Sequence, residues 1–171
     1  MPRRVPRRRA APLAEIRLLV LDVDGVLTDG RLSYGAGGEM EKTFHVRDGH
    51  GIKAVLAAGI AVAVISGRDS AAVARRCEEL GIRYVHQGVA DKAPVLQQIL
   101  SKLGIQGRQC ACVGDDQPDL PLMSQAGFAV AVADAHRSAL LAAHRRTRLP
   151  GGAGAVREVC DWLLASRQRA T

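Results

Sequence analysis

Two aspartates one residue apart, Asp22 and Asp24, close an apolar run that begins at Leu18. On an extended chain, residues two apart project to the same side. Two like charges held side by side repel, and a divalent cation relieves that repulsion, because hard cations such as Mg²⁺ prefer carboxylate oxygens. A turn rich in Asx hydrogen bonds is the alternative for an isolated pair. Three further polar signals follow in order: Ser66 with Arg68, Lys92, and the group Asp115, Asp116 and Asp119. Their types suit phosphoryl transfer. A carboxylate attacks phosphorus and forms an aspartyl-phosphate. Ser66 and Lys92 bind the equatorial phosphate oxygens. A second carboxylic acid protonates the leaving oxygen and then activates water.

These residues must be brought together by the elements that carry them. Apolar runs end at Asp22, at Ser66 and at Gly114-Asp115, which reads as buried strands stopping at a polar edge. Helical spacing marks 52–58 ending at Gly59, 70–80 ending at Gly81, and 92–103 capped by Asp91 and ending at Gly104. Short strands are expected over 83–86 and 128–132, a short helix over 118–125, a short helix and an edge strand within 133–148, and a closing helix over 155–166. Arg31–Tyr34 and Met40–Val46 flank a glycine-rich turn and read as a β-hairpin. The alternation predicts an α/β fold: a doubly wound, Rossmann-like parallel sheet flanked by helices. In such a sheet the ligand crevice lies at the carboxyl ends of the strands, which is where all four signals fall.

Composition narrows the class. The chain has 171 residues, enough for one domain with a full core, and only 3% are aromatic, so that core is aliphatic. The net charge of +7 points to nucleic acid at first sight. Five arginines, Arg3, Arg4, Arg7, Arg8 and Arg9, stand in the first nine residues, and subtracting these five from +7 leaves +2. Residues 1–12 therefore read as a disordered Arg/Pro-rich arm ahead of a single domain over 13–171, and nucleic acid is not an expected partner. No apolar run reaches the roughly 18 residues of a membrane span. Cys77, Cys110, Cys112 and Cys160 form no CxxC pair, which fits a reducing, cytoplasmic setting.

The four signals resemble the four motifs of the haloacid dehalogenase (HAD) superfamily of phosphatases. That resemblance implies Asp22 as nucleophile, Asp24 as acid/base, and Mg²⁺ held by Asp22, the Asp24 carbonyl and Asp115, assisted by Asp119 or Asp116. Either of those last two could instead cap the helix at Pro118. Segments 24–30, 46–51, 65–68, 114–121 and 151–159 further resemble the 3-deoxy-D-manno-octulosonate 8-phosphate phosphatases, over about residues 15–166. Members of that family have a β-hairpin projection and no cap domain, and hydrolyse a phosphorylated sugar acid in lipopolysaccharide precursor biosynthesis. They resemble homotetramers whose hairpins meet centrally and whose glycine-rich C-terminal segment, here Gly151 to Arg157, approaches a neighbouring site.

Arg68 and Arg47 are candidates for the sugar-acid carboxylate, because guanidinium offers a planar fork to carboxylates. Gly67 beside Arg68, and Arg157, complete the candidate substrate set, with Arg157 serving either a neighbour's site or only an exposed helix face. Local pairing of Arg68 with Asp69, or of Arg47 with Asp48, is the alternative. Two other functions share much of this pattern: a phosphatase for a sialic-acid-type 9-phosphate, and a non-catalytic HAD-like oligomerisation domain. A phospho-receiver module fits poorly, since its acceptor aspartate does not normally lie in an Asp-x-Asp-Gly loop after the first strand.

Overall fold

The structure is a computed structural model that describes residues 9–38 and 40–169. In chain order it contains β1 (Leu18–Leu21), β2 (Ser33–Tyr34), β3 (Met40–Glu41), α1 (Val46–Ala57), β4 (Ala61–Ile65), α2 (Ala71–Leu80), β5 (Tyr84–His86), α3 (Lys92–Leu103), β6 (Cys110–Gly114), α4 (Leu120–Gln125), β7 (Phe128–Ala131), α5 (Arg137–Ala142), β8 (Arg145–Arg146) and α6 (Ala155–Gln168). Six strands make one parallel sheet in the order β5-β4-β1-β6-β7-β8, and β2 pairs with β3 in a separate antiparallel hairpin. The expected doubly wound α/β sheet is the observed one.

The chain builds outward from β1 to β4 and β5, then crosses back to place β6 on the other side of β1. The strand order thus reverses at β1, and a crevice opens at such a switch point. Every residue of β1, β6 and β7 is buried. Burying Leu18, Leu19 and Leu21 stabilises the fold by about 1.5–3 kcal/mol each. Helices α1 and α6 pack together, and α4 packs against both α3 and α5.

Helix α1 starts earlier than its apolar spacing predicts. It begins at Val46 and carries Arg47-Asp48-Gly49-His50-Gly51 in its first turns, where glycine normally disfavours helix. Its N-cap is His45, whose Nδ1 accepts from the Arg47 N–H at 3.2 Å. The glycines serve contact with neighbouring helices. A Cβ on Gly49 would lie 2.3 Å from Arg76 Nη2, and one on Gly51 would lie 2.9 Å from Arg157 Cδ and 3.0 Å from Cys160 Cβ. Close packing outweighs the propensity cost of about 1 kcal/mol per glycine.

The hairpin ladder is shorter than expected, with Ser33 opposite Glu41 and Tyr34 opposite Met40. Ser33 and Tyr34 are exposed, so no buried face extends the pairing, and an isolated two-stranded ribbon is marginal. Of the arm expected over residues 1–12, residues 1–8 lie outside the described residues. Within the rest, the Ala11 N–H donates to the Gly127 carbonyl at 2.8 Å, which joins this stretch to the domain. No helix among the described residues is long and apolar enough to cross a membrane.

Candidate active site

The ladder positions each candidate side chain at the carboxyl edge of the sheet. Asp22 directly follows β1, and its N–H donates to the Val113 carbonyl of β6 at 3.2 Å. Ser66 directly follows β4. Its N–H donates to the His86 carbonyl at 2.9 Å, and its own carbonyl accepts from Val89 at 3.0 Å. Lys92 is the first residue of α3, and Asp91 caps that helix by accepting from the Ala93 N–H at 3.1 Å. Asp115 directly follows β6. Asp22, Asp24, Ser66, Gly67, Arg68, Lys92, Asp115 and Asp116 share one cavity of about 440 Å³. Eight of the sequence-derived candidates are therefore brought together.

A buried charge network lies at its floor. Lys92 Nζ sits 2.9 Å from Asp22 Oδ1 and 2.8 Å from Asp119 Oδ1. The other oxygen of Asp119 accepts from the Asp115 N–H at 2.9 Å. Lys92 and Asp119 are 3% and 1% exposed, a depth at which charges must be paired. Asp119 thus uses both oxygens to hold Lys92 and the Asp115 backbone, and the packing around it is tight: a Cβ on Gly114 would lie 2.5 Å from the Asp119 Cβ.

Between the two open possibilities, Asp119 is the one in the cluster. Asp116 accepts from its neighbour's Gln117 N–H at 2.7 Å, caps the short turn 117–119, and stands 3.4 Å from His136 Nδ1 at the cavity rim.

The network leaves negative charge in excess. Burial, reinforced by Asp119, pushes the Asp22 carboxyl up to about 6 against the opposing pull of Lys92. Burial, reinforced by Asp22, Asp119 and Asp116, pushes Asp115 up to about 7. Burial opposes the charge of Lys92, but the two facing carboxylates outweigh it and hold the ammonium above its ordinary value. Oxygens of Asp22, Asp115 and Asp119 lie within 4.8 Å of one another. Three carboxylates against one buried ammonium, with all-oxygen donors, fit a hard divalent cation. Gly25 makes room for this arrangement: its φ is +81°, and a Cβ there would fall 2.1 Å from Asp115 Oδ2.

Arg68 is not paired with Asp69. Its Nε is 3.7 Å from Asp24 Oδ2, and its backbone N–H donates to Ser66 Oγ at 3.4 Å. Arg47 and Arg157 do not reach this cavity within the chain. They line another of about 630 Å³ with Arg148 and Asp161, because α1 begins against α6 and the Arg157 Nε is drawn to Asp161 at 2.8 Å. Asp48 does not pair with Arg47. It is buried and accepts from the Arg157 backbone N–H at 2.8 Å. Within the chain, the glycine-rich segment packs on the loop that carries the aspartates. Gly152 donates to the Val26 carbonyl at 3.0 Å, behind the Asp22–Gly30 loop.

One contact escapes the sequence reading. Lys42 Nζ pairs with Asp24 Oδ1. The two residues are 18 apart across the hairpin. A lysine beside a short strand carries no signal of its own; only its place on the return limb, opposite the departing Asp-x-Asp-Gly loop, hints at the contact.

Comparison with known proteins places the chain. The haloacid dehalogenase-like hydrolase family matches residues 85–150. The 3-deoxy-D-manno-octulosonate 8-phosphate phosphatase KdsC of Yersinia pestis is 47% identical over 156 residues, covering 91% of this chain and 83% of that protein. The protein of the same name from Escherichia coli K12 is 48% identical over 157 residues, covering 92% and 84%. A crystal structure of the Moraxella catarrhalis phosphatase with magnesium, phosphate and KDO superposes with a TM-score of 0.90 at 41% identity, covering 92% and 91%. A cobalt-bound Haemophilus influenzae structure superposes at 0.89 with 42% identity, covering 93% of each chain. Similarity of this extent, along nearly the whole domain, means that the chain belongs to the 3-deoxy-D-manno-octulosonate 8-phosphate phosphatase family of haloacid dehalogenase-like hydrolases.

Proposed function

We propose that the protein hydrolyses 3-deoxy-D-manno-octulosonate 8-phosphate to the free sugar acid and phosphate, with Mg²⁺ as cofactor. The observation that carries this reading is the single cavity where Asp22, Asp24, Ser66, Lys92 and Asp115 converge. Asp22 and Asp115, with the Asp24 carbonyl, would hold Mg²⁺, and Asp119 steadies them through Lys92 and the Asp115 N–H. Bound there, the cation shields the carboxylates from the incoming phosphate and stabilises charge on its oxygens.

The protein's own groups carry the remaining chemistry. An Asp22 oxygen bonds to phosphorus as the bond from phosphorus to the sugar oxygen breaks, and Asp24 gives that oxygen its proton. Asp24 then takes a proton from water as the water oxygen bonds to phosphorus and the Asp22–phosphorus bond breaks. Ser66 and Lys92 bind the transferring phosphate oxygens. Arg68, half exposed at the cavity wall, faces the substrate carboxylate, with Gly67 beside it.

Assembly and location follow from the same reading. A homotetramer with the hairpins at its centre fits the exposed Tyr34 and the open cavity mouth, to which a neighbour would supply the cover. A cytoplasmic setting fits four buried free cysteines.

The test is phosphate release by the purified protein with Mg²⁺ from the octulosonate 8-phosphate and from a sialic-acid-type 9-phosphate, side by side. Preferred turnover of the first supports the reading. Preferred turnover of the second, or of neither, removes it.

A further inference from the structure

A buried ammonium needs a partner, and among the described residues Lys42 is ion-paired with Asp24 alone. Its side chain is 2% exposed, although it belongs to a hairpin whose Ser33 and Tyr34 face solvent. The return limb is anchored from Lys42 onward: Phe44 packs on the core, and His45 caps α1. Lys42 therefore enters the site from a fixed point. The departing limb leaves the same loop that carries Asp24, beyond Gly30.

The two oxygens of Asp24 meet different groups. Oδ1 is held by Lys42, and Oδ2 faces Arg68 at 3.7 Å on the cavity wall. Arg68 is 49% exposed, so its contact is wet and weak, whereas Lys42 meets Asp24 from a side chain that is almost fully buried. A carboxylate held firmly by one oxygen keeps its plane and presents the other.

We infer that Lys42 is a positioning residue that pins Asp24 Oδ1, so that Oδ2 is the oxygen that exchanges the proton with the leaving group and with water. This rests on the acid/base reading of Asp24 above. The hairpin then does more than project from the domain, because it also sets the orientation of a group in the cavity.

The test compares Lys42→Met and Lys42→Arg with the parent protein, using the octulosonate 8-phosphate and saturating Mg²⁺. Losing the orientation of an acid/base group costs about 10²-fold in kcat. Lys42→Met is expected to show that loss with KM within about threefold and Mg²⁺ affinity unchanged, and Lys42→Arg is expected to recover at least about tenfold of it. A folded Lys42→Met protein with kcat within about threefold of the parent overturns the inference. So does a loss confined to KM.

A second measurement stands even if Lys42→Met alone fails to fold. Replacing both partners removes the buried charge imbalance, so Asp24→Asn/Lys42→Met is expected to fold and to turn over like Asp24→Asn. A further loss of about tenfold in the double variant overturns the inference, because Lys42 would then act other than through Asp24. Full turnover by Asp24→Asn would remove the acid/base reading itself and this inference with it. An impaired Asp24→Asn beside an active Lys42→Met removes only the inference.

Discussion

Gly151 rests on the carbonyl oxygen of Gly25: a Cβ built on Gly151 would fall 1.8 Å from that oxygen and 3.1 Å from the Thr28 carbonyl oxygen. The segment after β8 is thus the backing of the loop that carries Asp22 and Asp24. Gly151 is itself held by its N–H, which donates to Asp134 Oδ1 at 3.0 Å.

Gly151→Ala must displace backbone, since the obstacle is a carbonyl rather than a flexible side chain. Overpacking of this kind destabilises by about 1–3 kcal/mol. Turnover should fall as well, because an ångström of misplacement near the chemistry costs about 10²-fold. Urea unfolding and initial rates check the pair of effects, and a parent-like rate would show that the backing loop does not position Asp24.

Asp22→Asn keeps the size of the side chain and leaves Lys92 paired with Asp119 at 2.8 Å. The variant should remain folded. An amide does not attack phosphorus, so phosphate release should fall by at least about 10³-fold. Circular dichroism and a phosphate-release assay on the same sample separate loss of chemistry from loss of fold.

Lys92→Met removes the ammonium that both Asp22 and Asp119 face. Two buried carboxylates then lack their counter-charge, and breaking such a network by one partner costs about 3–5 kcal/mol. Denaturation without Mg²⁺ should show the full loss. Added Mg²⁺ should restore part of it, since the cation supplies the missing positive charge at Asp22.

The raised carboxyls predict how Mg²⁺ binding depends on pH. In the metal-free fold Asp22 and Asp115 titrate at about 6 and about 7, above the ordinary 3.8, because burial disfavours their charged forms. A carboxyl raised on folding stabilises the protein at low pH, and that contribution is lost as pH rises through the folded value. The metal-free protein should therefore weaken between about pH 4 and pH 7. Mg²⁺ requires the ionised forms, so its binding at pH 6 should release about one proton or more, and at pH 8 almost none. Calorimetry in buffers of different ionisation enthalpy reads this directly. Equal proton release at both pH values would contradict it.

Much of the site was legible in the residues because local patterns mark strand ends. Apolar runs stopping before Asp22, Ser66 and Asp115 place those residues on one edge once the sheet is parallel, and Asp91 with Gly104 bounds the helix that opens with Lys92. The start of α1 was not legible, since two glycines in five residues argue against helix locally. Their reason lies in Arg76, Arg157 and Cys160, which reach them from α2 and α6. Chemical type alone groups Arg47 with the substrate, yet the contact of α1 with α6 places it, with Arg157, at another cavity of the chain.

By itself, then, the sequence determined the kinds of group available and the order in which strands deliver them, because period and punctuation are local properties. Tertiary structure alone decided that Asp119 rather than Asp116 closes the carboxylate cluster, that Lys42 crosses 18 residues to hold Asp24, and that Gly151 backs Gly25. Each of these depends on how distant segments approach after packing. Spacing along a chain does not encode the distance between elements that meet only when the core has formed.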